Sequence, residues 1–67
     1  MNLLKYNNKK VKVITDNGIE YVGMCYFMDA DTAEESEDII DVKTDDGSYN
    51  MLLESMIKNI EILEMKK

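Results

Sequence analysis

Apolar and polar residues alternate along short stretches of this chain, which is the pattern of half-buried β-strands. Val11, Val13 and Thr15 alternate with Lys12 and Ile14, a period of two residues. No proline interrupts any of these stretches. The pattern predicts five strands, at residues 11–15, 19–28, 39–44, 48–53 and 57–63.

Two turn signals join neighbouring strands. Asn17-Gly18 lies between the first and second predicted strands, and Asp46-Gly47 lies between the third and fourth. Such pairs supply the positive φ that a tight hairpin requires. We therefore predict two hairpins, with Asn17, Gly18, Asp46 and Gly47 as structural turn residues.

The second predicted strand is long, and the polarity of one of its faces changes near Gly23. Tyr21, Cys25 and Phe27 share one face, whereas Met24 and Tyr26 lie on the other. Both faces are apolar after the glycine, so we expect this strand to be buried on both sides. A glycine at that change indicates a sharp bend.

The remaining segments are short. Residues 29–38 are acidic and predict a loop, and residues 54–56 predict a single 3₁₀-type turn before the last strand. Leu3, Leu4 and Tyr6 predict one apolar helical turn at the start. The tail at 64–67 is expected to fray.

Five short antiparallel strands predict an all-β fold, a small, strongly bent barrel of the SH3-like kind with a short N-terminal helical turn. Residues 1–67 form one domain, with a core over about 3–63. An OB-fold usually has a longer connection between its third and fourth strands. Here that connection is the tight turn at 45–47.

Composition narrows the functions further. The net charge is −6 and there is no arginine, which disfavours a surface built to bind phosphate backbones. With no histidine and one cysteine, neither a usual zinc site nor an intrachain disulfide is expected. No signal peptide and no apolar run of about 18 residues is present. We expect a cytoplasmic protein with no membrane partner.

The charges are segregated along the chain. Four of the eight lysines, Lys5, Lys9, Lys10 and Lys12, precede the first turn, and seven of the fourteen acids lie in the segment 29–41. The lysines are candidates for RNA binding, although a solvated face is the plainer interpretation. The acidic segment is a candidate surface for a basic protein partner, against the plainer alternative of a solvated loop.

No set of residues predicts catalysis, a metal or a cofactor. Asp29 and Asp31 fit the first positions of an EF-hand, but Glu34 replaces its glycine and Ile40 its final glutamate. Cys25 lies in mid-strand with no histidine to activate it, so it is expected to be structural. The carboxylate pairs at 34–35 and 45–46 lie in polar loops with no apolar pocket to raise one pKa. We expect no enzyme activity.

The chain resembles the Sm-like (LSm) family over about residues 3–63. The alternating strand at 11–14, Gly18, Gly23 and Asp29 are similar to the first family motif, and residues 51–60 are similar to the second. The resemblance implies a bent five-stranded barrel whose fourth and fifth strands join neighbouring copies into a ring. Here those strands are 48–53 and 57–63.

The resemblance also implies an RNA site, but the residues that form it are replaced. Ala33 stands where the family has a base-reading asparagine, and Glu54-Ser55 stand where it has Arg-Gly. The bacterial Hfq branch uses a Lys-His pair there, and this chain has no histidine. The sequence therefore predicts a non-catalytic Sm-like module that acts through homo-oligomeric assembly. RNA binding through the N-terminal lysines and an adaptor role for segment 29–41 remain as alternatives.

Overall fold

The structure is a computed structural model that describes residues 2–63. It has five strands: β1 (Lys9–Thr15), β2 (Glu20–Met28), β3 (Ile39–Thr44), β4 (Tyr49–Leu53) and β5 (Ile57–Ile62). They form one antiparallel sheet in the order β4-β3-β2-β1-β5. The predicted all-β architecture of five antiparallel strands is confirmed. In this sheet β4 and β5 are the two end strands.

The two hairpins have the same construction. In the first, the N–H of Gly18 donates to the carbonyl of Thr15 and that of Thr15 to the carbonyl of Ile19, both at 2.9 Å. The second repeats these bonds from Gly47 to Thr44 and from Thr44 to Ser48. Each is a three-residue loop that ends in a glycine of positive φ, 86° and 87°.

This geometry corrects one detail of the predicted turns. Only the glycines adopt positive φ, because Asn17 and Asp46 do not lie in the left-handed region. Their side chains act instead as acceptors: Thr15 Oγ1 donates to Asn17 Oδ1 at 2.5 Å, and Thr44 Oγ1 donates to Asp46 Oδ1 at 2.6 Å. The repeated sequence Thr-Asp-(Asn/Asp)-Gly encodes both loops.

The long strand β2 is buried on one face only, so the prediction of burial on both faces is wrong. Cys25 is fully buried, whereas Met24 and Tyr26 are 36% and 37% exposed. Their face carries no second layer of the described chain. Gly23 is required for a different reason, because a Cβ there would overlap the backbone carbonyl of Lys43 on β3.

The connections differ slightly from the sequence prediction. Residues 29–38 contain a short helix, α1 (Ala30–Ala33), which corrects the prediction of a plain loop. Asp29 caps it by accepting from the N–H of Thr32 at 2.9 Å. The 3₁₀ turns at Leu3–Tyr6 and Glu54–Met56 are confirmed. The tail predicted to fray, 64–67, lies outside the described residues.

The core lies on one side of the sheet, which we call the inner face. Its buried side chains come from every strand and from the first 3₁₀ turn, and they include Leu3, Val11, Val13, Cys25, Ile40, Val42, Leu52, Ile57 and Ile60. Tyr6, Tyr21 and Phe27 pack against this cluster. The opposite side is the outer face. The sheet therefore has one filled face and two end strands.

Candidate assembly interface

The first end of the sheet is β4, and half of its backbone groups point away from β3. The N–H of Thr44 donates to Ser48, and the N–H of Glu54 donates to Asp38. Hydrogen-bonded and non-hydrogen-bonded pairs alternate in an antiparallel ladder. Given the β3–β4 register, the backbone groups of Tyr49, Met51 and Leu53 therefore point outward from the sheet.

The second end is β5, and the same reasoning applies. The N–H of Leu63 donates to the carbonyl of Lys10 at 2.7 Å. Together with the β1–β5 register, this directs alternate residues toward β1 and leaves the backbone groups of Ile60 and Ile62 pointing outward. A register shift between Ile14 and Thr15 interrupts the ladder near the start of β5, at Lys58.

Exposed apolar side chains lie along both end strands, beside the outward-pointing backbone groups. Tyr49 is 63% exposed, Met51 49% and Ile62 38%. No proline protects either edge, and the protection of β5 is limited to Lys58 with its register shift and to Glu61. Strand edges with exposed apolar side chains and outward-pointing backbone groups are templates for pairing with another strand. The exposed alternation of Tyr49 and Met51 could have indicated such an edge from the sequence.

The turn that links the two end strands is held by the acidic segment. Glu37 accepts two hydrogen bonds from Ser55, one from its N–H at 2.7 Å and one from its hydroxyl at 2.8 Å. Leu53 occupies the N-cap position of this turn and makes no side-chain cap. The carboxylate of Glu37 therefore does the work of a capping residue, a role that sequence reasoning missed.

A second contact joins the same two regions. The backbone carbonyl of Asp38 accepts from Glu54, and its side chain accepts from the N–H of Ala30 at 2.9 Å. Glu54 and Ser55 thus serve the turn, at the positions where the Sm-like resemblance implies Arg-Gly. Ala33, at the position that the resemblance compares with a base-reading asparagine, is the last residue of α1.

The structure separates the four N-terminal lysines. Lys10 and Lys12 pair with Met24 and Val22 and share the outer face, whereas Lys9 pairs with Cys25 on the inner side. Lys5 lies in the first 3₁₀ turn, with its Nζ 5.3 Å from the centroid of the Tyr6 ring. Two of the four candidates therefore share a surface.

Aromatic residues form a small group on the outer face. The rings of Tyr26 and Tyr49 are 6.5 Å apart between centroids and tilted by 44°. Lys43 Nζ lies 5.7 Å from the Tyr49 ring centroid. Met24 is the β2 partner of Lys43, and Met51 is the β4 partner of Asp41. The group therefore leads from the middle of the sheet to the β4 edge.

Cys25 and Asp29, the remaining candidate groups, have environments that shift their pKa values in opposite directions. Cys25 is buried, and burial, with a smaller contribution from the charge of Asp41, raises the pKa of its thiol to about 11. The hydrogen bonds from Thr32 lower the pKa of the exposed carboxyl of Asp29. Neither environment favours nucleophilic or general acid–base chemistry at neutral pH.

One shallow cleft of about 260 Å³ lies where the first hairpin loop meets the turn before β5. It is lined by Thr15, Asp16, Asn17, Ser55 and Met56. The hydroxyl of Thr15 already bonds to Asn17 and to the backbone of Ile19. The hydroxyl of Ser55, on the other side of the cleft, is likewise bonded, to Glu37.

No family model, curated protein or solved structure matches the chain. Within residues 2–63, no three or more acidic or cysteine side chains are arranged to hold a metal ion. The helical segments of this same range are all too short to cross a membrane.

Proposed function

We propose that this chain is a non-catalytic Sm-like module that acts through homo-oligomeric assembly, in which β4 of one copy pairs with β5 of the next. The observation that carries the proposal is the pair of open strand edges, both lined by apolar residues. Each edge presents backbone donors and acceptors that a strand of another copy satisfies. The strand order and the 3₁₀ turn between β4 and β5 agree with the Sm-like resemblance.

Assembly would also stabilise a domain of this small size. A chain of 67 residues buries a small core, and small domains commonly gain stability from partners. Pairing β4 with β5 is head-to-tail, so an open row of copies keeps one unpaired edge at each of its two ends until the row closes. A ring is the closed form of such an assembly, and it leaves no exposed edges.

Light scattering and analytical ultracentrifugation test the proposal directly. We expect a mass of several chains at micromolar concentration, and a monomer at high micromolar concentration would overturn the proposal. Met51→Lys and Ile62→Lys should each reduce the mass, because a lysine on an edge opposes strand pairing. Met24→Lys is the matched control, since Met24 is an exposed methionine on the central strand β2.

The two alternatives have less support. An RNA site at Lys5, Lys9, Lys10 and Lys12 would require these lysines to act from different faces of the sheet. Salt-sensitive binding of a mixed oligonucleotide pool, lost on charge reversal of Lys10 and Lys12, would favour it. An adaptor that presents segment 29–41 to a basic protein predicts loss of that partner when residues 32–36 are deleted.

A further inference from the structure

The two edges expose different faces of the sheet. On β4, the residues with outward-pointing backbone groups are Tyr49, Met51 and Leu53. The exposed side chains of Tyr49 and Met51 lie on the outer face, opposite to the buried Leu52. On β5, the outward-pointing residues are Ile60 and Ile62, which pair with the core residues Val13 and Val11. Their side chains therefore belong to the inner face.

Antiparallel pairing constrains how these faces meet. Two residues that exchange backbone hydrogen bonds lie directly opposite each other, and their side chains share a side of the sheet. When β4 pairs with β5 of a neighbouring copy, Tyr49 and Met51 must lie on the same side as Ile60 and Ile62 of that copy. The outer face of one subunit becomes continuous with the inner face of the next.

From this relation we infer that each subunit completes the core of its neighbour, with Tyr49 opposite Ile62 and Met51 opposite Ile60 of the adjoining copy. The inference rests on the proposed assembly and specifies its register. It explains why Ile62 is 38% exposed although it lies on the inner face. At the open end of the sheet, the side chains of Tyr49 and Met51 from another copy cover it.

Charge agrees with this register. The next opposed positions are Leu53 and Lys58 of the neighbouring copy, so that Lys58 comes one residue from Glu54. The segment around Glu54 is acidic, because Glu37 and Asp38 both contact this turn. A shift by two residues would place Lys58 opposite Met51, away from these acids, or opposite Ser55, past the end of β4. The pairing with Leu53 keeps Lys58 beside the acidic turn, and of these three registers it is the one that pairs Tyr49, Met51 and Leu53 all with residues of β5.

Disulfide trapping tests the register. Opposed hydrogen-bonded residues lie about 5.5 Å apart between Cα atoms, within the range of a disulfide. The double variant Tyr49→Cys/Ile62→Cys should therefore form a ladder of covalent multimers on mild oxidation, visible on a non-reducing gel. Both positions are exposed, so the variant should fold. Wild-type protein, whose Cys25 is buried, provides the background.

Two further double-cysteine variants serve as controls for the register. Met51→Cys/Ile62→Cys is displaced by one pair along the strand, and Tyr49→Cys/Glu61→Cys places the second thiol on the other face; each should lose the ladder. A strong ladder from either would overturn the register. Covalent dimers from Met51→Cys alone would instead indicate β4–β4 pairing and also contradict it. If light scattering shows an oligomer but no ladder forms, the register fails while the assembly stands.

Discussion

Gly23 on β2 lies against the backbone of Lys43 on β3, so closely that a single added methyl group would overlap the Lys43 carbonyl. The Cα of Thr44 would lie 3.0 Å from that methyl group. Because both obstacles are backbone atoms of a central strand pair, they cannot move aside as a flexible side chain would.

Gly23→Ala should therefore destabilise the protein by about 3 kcal/mol, measured by chemical denaturation. Gly18→Ala is the control. It meets no atom within 4 Å but must adopt a φ of 86°, a cost of about 1 kcal/mol. Equal losses in the two variants would contradict the role of close backbone approach at Gly23.

Glu37 should stabilise the turn between the end strands. Glu37→Ala removes the acceptor for both hydrogen bonds of Ser55, and we expect a loss of about 1 kcal/mol in the free energy of unfolding. Glu35→Ala changes an exposed neighbour and should have little effect. In a double-mutant cycle, Ser55→Ala should add little to Glu37→Ala. Full additivity would show that the two side chains do not interact.

Cys25 should make the protein sensitive to alkali. The folded state holds the thiol pKa near 11, against an ordinary value of 9.0, so the unfolded chain loses its proton first. The stabilising contribution of the protonated Cys25 thiol is fully present below pH 9. Between pH 9 and 11 the free energy of unfolding should fall by about 1.4 kcal/mol per pH unit. Denaturation of wild type and Cys25→Ala at these pH values measures the difference in slope. Parallel slopes would contradict the burial of the thiol.

Asp46 should contribute to acid sensitivity. The hydrogen bond from the Thr44 hydroxyl, followed by that from the Ser48 backbone, lowers the pKa of Asp46 below 3.8. Its contribution is present above pH 3.8 and is lost as the pH falls through the lowered value. Asp46→Asn retains an acceptor, as Asn17 does in the first hairpin, and should reduce the loss of stability as the pH falls below 3.8. An unchanged profile would contradict this assignment.

Local structure was predictable where local chemistry decides it. The bounds of β3 and of the 3₁₀ turn before β5 follow directly from the alternating residues and the short polar interval. The hairpins follow from their glycines, although the sequence did not reveal that Asn17 and Asp46 serve as acceptors. The prediction of burial for Met24 and Tyr26 was wrong because apolar character alone does not say which face receives a second layer.

The sequence by itself determined the strands, the turns and the absence of any site that requires arginine or histidine. Those features depend on side-chain period, backbone conformation and residue identity, all of which are local. Only the tertiary structure decided that β4 and β5 are the ends of the sheet, that Glu37 caps Ser55, and that Lys9 lies apart from Lys10 and Lys12. These relations join residues distant in sequence, and strand order and register set them.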